Sequence, residues 1–151
     1  MSKYCIDKNG QALYLECQEC DEKVCECFAC LVVGSRDFSD YEFMKRKLDK
    51  VLARQTNVMI VSGGARGADS LAERYAREKN YPLRVFPARW DELGKSAGYI
   101  RNREMHEFIS HAPKRGCCAF WDGQSRGTAH NFKLCKEYNT PIRIFNYGQG
   151  E

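Results

Sequence analysis

Residues 58–69 read Val-Met-Ile-Val-Ser-Gly-Gly-Ala-Arg-Gly-Ala-Asp, and this stretch decides the fold. The four apolar residues from Val58 to Val61 are typical of a short strand that is buried on both faces. They run into the glycine-rich loop 62–67, which a helical pattern follows. The inward positions of that helix are Ala68, Leu71, Ala72 and Tyr75. A strand, a tight loop and a helix in this order predict one unit of a parallel α/β sheet.

The same unit recurs along the chain. Short apolar runs predict four further strands, at residues 31–33, 83–86, 117–120 and 141–145. Helical patterns separate these runs, and right-handed crossovers place helices on both faces of such a sheet. The sequence therefore predicts an α/β fold of Rossmann-like type, with a doubly wound, mainly parallel sheet of five strands and with four helices.

The sequence also predicts three local features: a helix start, an irregular loop and the inward face of a helix. Ser39 and Glu42 have the spacing of a capping box and are expected to open the first helix. Residues 87–98, with Gly94 and Gly98, are expected to form an irregular functional loop. The inward positions of the helix after that loop are expected to be Ile100, Phe108 and Ile109.

Composition indicates a globular chain. Of the 151 residues, 43% are hydrophobic and 29% are charged, as in ordinary folded domains and unlike disordered chains. No apolar run is long enough to cross a bilayer, and the residues after Met1 lack the pattern of a secretory signal. The expected location is therefore the cytoplasm, with no membrane partner. The 24 basic and 20 acidic residues are mixed along the chain, so charge alone does not indicate a nucleic-acid partner.

The first 29 residues form a separate, cysteine-rich segment. Six of the nine cysteines lie within the first thirty residues. Residues 4–15, with Asn9-Gly10 in their middle, are typical of a β-hairpin. We therefore divide the chain into a small cysteine-rich N-terminal β-hairpin at 1–29 and a Rossmann-like domain at 30–151.

Four cysteines of this segment are expected to bind a structural zinc ion: Cys17, Cys20, Cys25 and Cys27. Four thiolates at this spacing can surround one tetrahedral Zn²⁺ and stabilise a segment that is too small for its own core. Cys5 or Cys30 could replace one ligand. The alternatives are an iron–sulfur cluster and a segment of reduced cysteines that binds no metal. No redox cofactor is otherwise indicated.

Three strand-to-helix loops are rich in Gly, Ser and Arg, at residues 34–37, 62–67 and 122–128. The carboxyl ends of parallel strands place such loops at one edge of the sheet. Glycine lets backbone amides approach a ligand, and a helix N-terminus attracts an anion. For a single loop, a steric need for glycine is the simpler explanation. Three loops of the same design instead predict a site for a phosphate or ribose group.

Side chains of these motifs suit the same ligand. Guanidinium groups recognise phosphate through paired hydrogen bonds, and we expect five arginines to contribute: Arg36, Arg66, Arg101, Arg103 and Arg126. Asn102 either reads a base or ribose hydroxyl or caps its loop. Trp90 and Trp121 either stack on a base or pack in the core. The predicted ligand-binding residues are Gly34, Ser35, Arg36, Asp37, Ser62, Gly63, Gly64, Arg66, Gly67, Asp69, Arg101, Asn102, Asp122, Gly123, Ser125, Arg126, Gly127 and Thr128.

Four motifs in this order resemble a known family. They are Val-Gly-Ser-Arg-Asp-Phe at 33–38, Ser-Gly-Gly-Ala-Arg-Gly-Ala-Asp at 62–69, Ile-Arg-Asn-Arg-Glu-Met at 100–105 and Trp-Asp-Gly-Gln-Ser-Arg-Gly-Thr at 121–128. From residue 30 to about residue 146, the chain is similar to the YspA-like branch of the SLOG superfamily, which is related to the LOG and DprA families. The resemblance implies a Rossmann-like fold that binds a nucleotide-derived ligand.

Catalysis is less well supported than binding. The cytokinin-activating phosphoribohydrolases of that superfamily carry a Gly-Gly-x-Gly-Thr-x-x-Glu motif whose glutamate serves hydrolysis. Gly127 and Thr128 match this motif, but Asn131 stands at the glutamate position and cannot act as a general base. For hydrolysis, another carboxylate would have to replace the glutamate. Each candidate carboxylate could instead cap a helix or pair with an arginine. The candidates are Asp37, Asp69, Glu104 and Asp122.

The sequence thus favours a protein that senses or sequesters a nucleotide-derived small molecule. One alternative is a hydrolase that cleaves an N-glycosidic or phosphate bond of such a molecule. Another is a single-stranded nucleic-acid-binding protein, because a related SLOG protein loads recombinase onto single-stranded DNA. The chain lacks the contiguous Lys/Arg stripe that would favour this alternative. The sequence leaves open whether identical chains form an oligomer.

Overall fold

The computed structural model describes residues 5–6, 12–13, 27–55, 57–112 and 114–147. Its strands are β1 (Cys5–Ile6), β2 (Ala12–Leu13), β3 (Cys27–Gly34), β4 (Asn57–Ser62), β5 (Leu83–Val85), β6 (Lys114–Trp121) and β7 (Ile142–Asn146). Five of them form one sheet in the order β5-β4-β3-β6-β7. All neighbouring strands of this sheet run parallel. The predicted five-stranded parallel sheet is confirmed.

Helices follow the strands as the sequence predicts. They are α1 (Tyr41–Val51), α2 (Ala68–Lys79), the one-turn α3 (Trp90–Leu93), α4 (Ala97–Ser110) and α5 (Arg126–Glu137), with a 3₁₀ turn at Gly94–Ser96. Among the described residues, no helix has the length and apolar character needed to span a bilayer.

The sheet is covered on both faces. Alternate residues of β3 enter two separate cores: Cys30 belongs to one core and Leu31 to the other. The first core contains Leu48 of α1 and Tyr75 of α2. The second core contains Ile109 of α4, together with part of α5. Helices on both faces confirm the doubly wound architecture, and they explain why the central strands are continuous apolar runs.

The order of the strands determines where a ligand site can form. From β3 the chain proceeds through β4 to β5 on one side, whereas β6 and β7 lie on the other side of β3. Neighbouring crossovers therefore leave β3 and β6 in opposite directions, and a crevice opens at their carboxyl ends. The loops that follow β3, β4 and β6 surround this point.

Three predictions about the helices are wrong. Asp40, rather than Ser39, caps α1, because its Oδ1 atom accepts a hydrogen bond from the backbone N–H of Phe43 at 3.1 Å. Residues 90–96 of the predicted irregular loop are helical. Ile100 is 37% exposed and faces outward, because the inward face of α4 is formed by neighbouring positions that include Arg101 and Met105.

The amino-terminal edge of the sheet is held by Arg115 of β6. Its guanidinium group donates to the backbone carbonyls of Ser110 and Ala112 at the end of α4. It also donates to the carbonyls of Tyr138 and Asn139 after α5 and to the hydroxyl of Thr140. One side chain thereby satisfies carbonyl groups at the C-terminal ends of two helices, which are among the groups that helices leave unpaired.

The N-terminal segment is described only in part. Cys5 and Ile6 pair in antiparallel register with Leu13 and Ala12, so β1 and β2 lie side by side. The residues between them, including the predicted Asn-Gly turn, lie outside the described residues. The division of the chain near residue 30 stays a prediction.

Candidate functional site

A cleft of about 510 Å³ opens at the carboxyl ends of β3, β4 and β6. Its volume lies in the range of small-molecule sites, which is roughly 300–1,000 Å³. The loops of all three strands reach it, as the sequence predicts. The predicted ligand-binding residues that line it are Gly34, Ser35, Arg36, Asp37, Arg66, Asp69, Arg101, Asn102, Asp122, Ser125, Gly127 and Thr128.

Other predicted residues do not line the cleft. Those of the ligand-binding set are Ser62, Gly63, Gly64, Gly67, Gly123 and Arg126. Arg103 pairs with Glu137 on the protein surface, at 2.9 Å between Nη1 and Oε2. The catalytic candidate Glu104 pairs with Arg89 in the same way at 3.0 Å. The five arginines thus do not converge on one place, and only Arg36, Arg66 and Arg101 line the cleft.

Part of the cleft lining comes from residues outside the predicted ligand-binding set. They are Val33, Ala65, Trp90, Lys95, Gly98, Tyr99, Met105 and Asn131. Four of these lie between residues 90 and 99, where the chain folds into α3, the 3₁₀ turn and the start of α4. The glycines at 94 and 98 marked this segment, but its short helices have no periodic signal that would assign a face.

The first two loops are packed against each other through glycine. Gly67 has φ +79°, a conformation that side chains rarely adopt, and a Cβ atom there would lie 2.5 Å from the carbonyl oxygens of Ser35 and Arg36. Next to it, the backbone N–H of Ala68 donates to the carbonyl of Ser35 at 3.2 Å. The steric explanation of glycine therefore holds for Gly67, which joins the two loops outside the cleft.

Gly127 in the first turn of α5 is different. A Cβ atom at this position would meet nothing within 4 Å. Gly127 lines the cleft, so the space above its Cα atom is open to a ligand. Neither packing nor backbone strain requires glycine at this position.

The third loop is held by its own polar side chains. Asp122 accepts hydrogen bonds at 2.8 Å from the backbone N–H groups of Gln124 and Ser125. These two hydrogen bonds lower the pKa of Asp122. Ser125 then caps α5, because its hydroxyl accepts from the backbone N–H of Thr128 at 3.3 Å. The loop is thereby fixed next to the hydroxyl of Ser35, which accepts from the N–H of Asp122 at 3.2 Å.

Arg101 lies in the wall of the cleft and is only 9% exposed. Its Nε atom donates to Oδ1 of Asn102 at 2.9 Å, and its Nη1 atom donates to the carbonyl of Gly63. Among the described residues, its Nη2 atom has no hydrogen-bond partner. Burial lowers the pKa of Arg101. Arg101 therefore has spare hydrogen-bond donors, and burial of its charge carries a free-energy cost. A bound anion would offset this cost.

Asp69 lies in the first turn of α2 and is 7% exposed. Burial raises the pKa of its carboxyl group to about 6, although the backbone N–H of Ala65 and the charge of Arg101 both act in the opposite direction. The N–H of Ala65 donates to Oδ2 of Asp69 at 3.2 Å. Among the carboxylates named as catalytic candidates, Asp69 lines the cleft and has a pKa raised toward neutrality, as proton-transfer groups require.

Asn131 is engaged by the fold. Its Nδ2 atom donates to the carbonyl of Gly127 at 3.2 Å, and its Oδ1 atom lies 2.9 Å from Nε2 of His106. His106 is fully buried, and burial lowers its pKa to about 4, so it is neutral and donates through Nε2. Asn131 therefore fixes the first turn of α5 and is not free to take up the role of a glutamate.

Asn102 connects α4 to the same turn. Its Nδ2 atom lies 3.3 Å from the carbonyl of Gly127 and 3.2 Å from Nδ1 of His130, and its Oδ1 atom accepts from Arg101. All polar atoms of this side chain have partners. Asn102 thereby joins α4 to the first turn of α5, and its role toward a ligand stays a prediction.

Two of the acidic side chains in the cleft are hydrogen-bonded within the fold, whereas three of the basic ones form no described ion pair. The carboxylate of Asp37 accepts from the hydroxyl of Tyr147 at 2.6 Å, and that of Asp122 is bound by backbone N–H groups. Within the described part of the chain, Arg36, Arg66 and Lys95 form no ion pair. The cleft therefore offers free positive charge, as an anion site requires.

The predicted zinc ligands are not placed by the structure. Cys17, Cys20 and Cys25 lie outside the described residues, and of Cys27 only the backbone is described, at the start of β3. Among the described residues, no group of three or more His, Cys, Asp or Glu side chains could hold a metal ion. The zinc site stays a prediction.

Comparisons with known proteins agree with this architecture. The gene 61 protein of Mycobacterium phage D29 is 34% identical over 124 residues, which cover 78% of this chain and 94% of that protein. DNA processing protein A from Helicobacter pylori, a protein with a described single-stranded DNA binding mode, superposes with a TM-score of 0.56. That match covers 87% of this chain and 71% of the other at 19% identity, so it shows a shared fold.

The family follows from the sequence. The family model described as YAcAr, the YspA, cpYpsA-related SLOG family, matches residues 29–92. This segment contains β3, β4 and the first two glycine-rich loops of the cleft. The resemblance inferred from the four motifs is confirmed, and the chain belongs to the YspA, cpYpsA-related SLOG family.

Proposed function

We propose that the cleft binds a phosphate-bearing, nucleotide-derived small molecule. The observation that carries this proposal is Arg101, a buried guanidinium group whose two described hydrogen bonds go to neutral acceptors. Within the described ranges, no carboxylate forms an ion pair with it. A buried charge is stable only when it is paired or hydrogen-bonded, and a phosphate would supply both interactions.

The surrounding groups support the same ligand. Arg66 and Lys95 line the cleft, are exposed and form no ion pair within the described part of the chain. The α5 turn at Gly127 leaves open space beside a helix N-terminus, where anions are stabilised by backbone N–H groups. Binding is favoured over turnover for three reasons. Asn131 stands at the glutamate position and holds the first turn of α5, and Glu104 lies outside the cleft. Asp37 and Asp122 are hydrogen-bonded within the fold, which leaves Asp69 as the candidate for turnover.

Single-stranded nucleic acid is the second candidate ligand. Two observations support it: the fold shared with DNA processing protein A, and the exposed aromatic side chains Trp90 and Tyr99 beside a cationic cleft. Proteins that bind single strands commonly combine such aromatic platforms with positive charge. The small molecule is favoured because the cleft is a defined cavity and Arg103, which could extend a positive track, is paired with Glu137.

Isothermal titration with a panel of ligands tests the proposal. The panel contains nucleoside monophosphates and diphosphates, cyclic nucleotides, ADP-ribose and a short oligothymidylate. We expect a nucleotide to bind with 1:1 stoichiometry, and we expect Arg66→Ala to weaken binding roughly tenfold through loss of a charge-assisted hydrogen bond. The matched control is Arg54→Ala, because Arg54 is also exposed but lies in the turn after α1, outside the cleft.

The outcomes separate the candidate functions. If no member of the panel binds, the proposal is wrong. If the oligothymidylate alone binds, the nucleic-acid alternative replaces it. Chromatography of the same mixtures detects released base or phosphate, and product formation by the wild-type chain would show a hydrolase instead of a binding protein.

A further inference from the structure

Trp90 is a large aromatic side chain that the core does not use. It is 47% exposed, it lines the cleft, and it belongs to neither of the two hydrophobic cores. Among the described residues, its ring has no aromatic neighbour within stacking distance. A tryptophan side chain left half in water forgoes much of the stabilisation that its burial would give.

Trp121, the other tryptophan of the chain, shows what a structural role looks like. Its indole N–H donates to the carbonyl of Ser125 at 3.1 Å. Its ring packs edge-on against Phe132 with 5.0 Å between centroids. Of the two roles considered for the tryptophans, Trp121 has the packing role and Trp90 does not.

The ring of Trp90 has two described neighbours, the backbone of α4 at Gly98 and the guanidinium group of Arg36. A Cβ atom at Gly98 would lie 3.3 Å from Cη2 of the ring, so glycine at 98 makes room for the indole. The guanidinium carbon of Arg36 lies 5.6 Å from the ring centroid. Arg36 is exposed and forms no ion pair within the described part of the chain, and the contact seen to hold it over the ring is an exposed cation–π contact, which is a weak one. A planar base can replace it there.

The cleft thus has two chemically different parts. Arg101 offers spare guanidinium donors in the buried wall, and Trp90 offers an aromatic surface in an exposed part of the lining. A nucleotide has the same division, because its phosphate is charged and its base is a flat π-system. A sugar phosphate or inorganic phosphate has no aromatic base, so it could bind at Arg101 but could not stack on Trp90.

We propose that Trp90 stacks on the base of the ligand, so that the cleft selects nucleotides with an accessible aromatic base over sugar phosphates. This inference rests on the proposed function and adds the class of ligand and the residue that selects it. Stacking does not read the hydrogen-bonding edge of a base, so Trp90 alone is expected to accept purines and pyrimidines.

Two substitutions and two kinds of ligand test this inference. The affinities of the wild-type chain, Trp90→Leu and Trp90→Phe are measured for AMP, GMP, CMP, UMP and ribose 5-phosphate, each in a separate titration. We expect at least one nucleotide to bind roughly tenfold more tightly than ribose 5-phosphate to the wild-type chain, as stacking on one aromatic side chain allows. Trp90→Leu should remove this preference by weakening nucleotide binding roughly tenfold, whereas Trp90→Phe should keep most of it.

Tryptophan fluorescence gives a second measurement. Stacking should quench the emission of the wild-type chain on addition of a nucleotide and not of ribose 5-phosphate, and Trp90→Phe should lose this quenching. Equal affinities of the wild-type chain for ribose 5-phosphate and every nucleotide would overturn the stacking inference alone. A loss of affinity for both kinds of ligand in Trp90→Leu would also overturn it, because the ring would then be shaping the cleft. No binding of either kind would overturn the proposed function as well.

Discussion

Arg101 and Arg115 lie at opposite edges of the same sheet, and they use the same functional group differently. Arg115, at the amino-terminal edge, directs its three nitrogens at four backbone carbonyls and one hydroxyl. Arg101, at the carboxyl-terminal edge, donates to two neutral acceptors and leaves Nη2 without a partner among the described residues. All three guanidinium nitrogens of Arg115 have hydrogen-bond partners within the fold, whereas one nitrogen of Arg101 has none among the described residues.

The difference distinguishes a structural arginine from a ligand-binding one. The carbonyl groups around Arg115 belong to helix ends that would otherwise be unsatisfied, so the fold gains from this arrangement. Burial lowers the pKa of Arg101 although the charge of Asp69 acts in the opposite direction, so among the described residues its desolvation is only partly compensated. A site that binds anions is expected to contain such a group, since stability is commonly given up where a ligand restores it.

Replacing Arg115 should have the largest effect on stability. We expect Arg115→Ala to lower the free energy of unfolding by roughly 3 kcal/mol, because five hydrogen bonds are lost and carbonyl groups of both helix ends lose their partner. Urea denaturation followed by circular dichroism measures this change. The affinity for nucleotide should be unaltered in the folded protein. A change below about 0.5 kcal/mol would mean that water replaces Arg115 without cost.

Replacing Asp69 should have a smaller effect, of opposite sign. Burial raises the folded pKa of this carboxyl group to about 6 from an ordinary value of 3.8. The folded state therefore binds the proton more tightly than the unfolded chain does, and stability falls as the pH rises from about 4 to about 6. We expect Asp69→Asn to be more stable than the wild-type chain at pH 7, by roughly 2 kcal/mol, and to be equally stable near pH 4.

The stability of Asp69→Asn has to be compared with that of the wild-type chain at each pH, because His106 titrates in the same pH range. Burial lowers the folded pKa of His106 from 6.5 to about 4, so His106 destabilises the fold as the pH falls through this window. Thermal denaturation of Asp69→Asn and of the wild-type chain at each pH cancels that contribution. A variant that is less stable than the wild-type chain at pH 7 would show that Asp69 is stabilised by Arg101 more than it is penalised by burial.

Much of the fold could be predicted from the sequence, because the central strands are continuous apolar runs and each ends in a glycine-rich loop. The run 58–61 and the loop 62–67 were enough to predict β4 and the start of α2, but only Ala65 and Arg66 of this loop line the cleft. A glycine pattern marks a loop, but it does not tell which glycine faces a ligand. Gly67 serves loop packing, whereas Gly127 leaves open space in the cleft.

The rest of the site depended on long-range packing that local patterns do not contain. Trp90 and Lys95 reach the cleft from two short helical turns without a periodic signal. Arg101 and Arg103 lie two positions apart on α4, so a helix of 3.6 residues per turn separates them by about 200°. One of them is therefore buried in the cleft wall while the other pairs with Glu137 on the surface.

The most direct test of a phosphate-binding role for Arg101 is an isothermal titration of Arg101→Met with the tightest-binding nucleotide, beside the wild-type chain. Methionine keeps the length of the side chain and removes its charge and donors. The account predicts a loss of affinity of roughly 30-fold or more, as for a buried charge-assisted contact, while the free energy of unfolding changes by less than about 1 kcal/mol. Unchanged affinity in a folded Arg101→Met protein would contradict it.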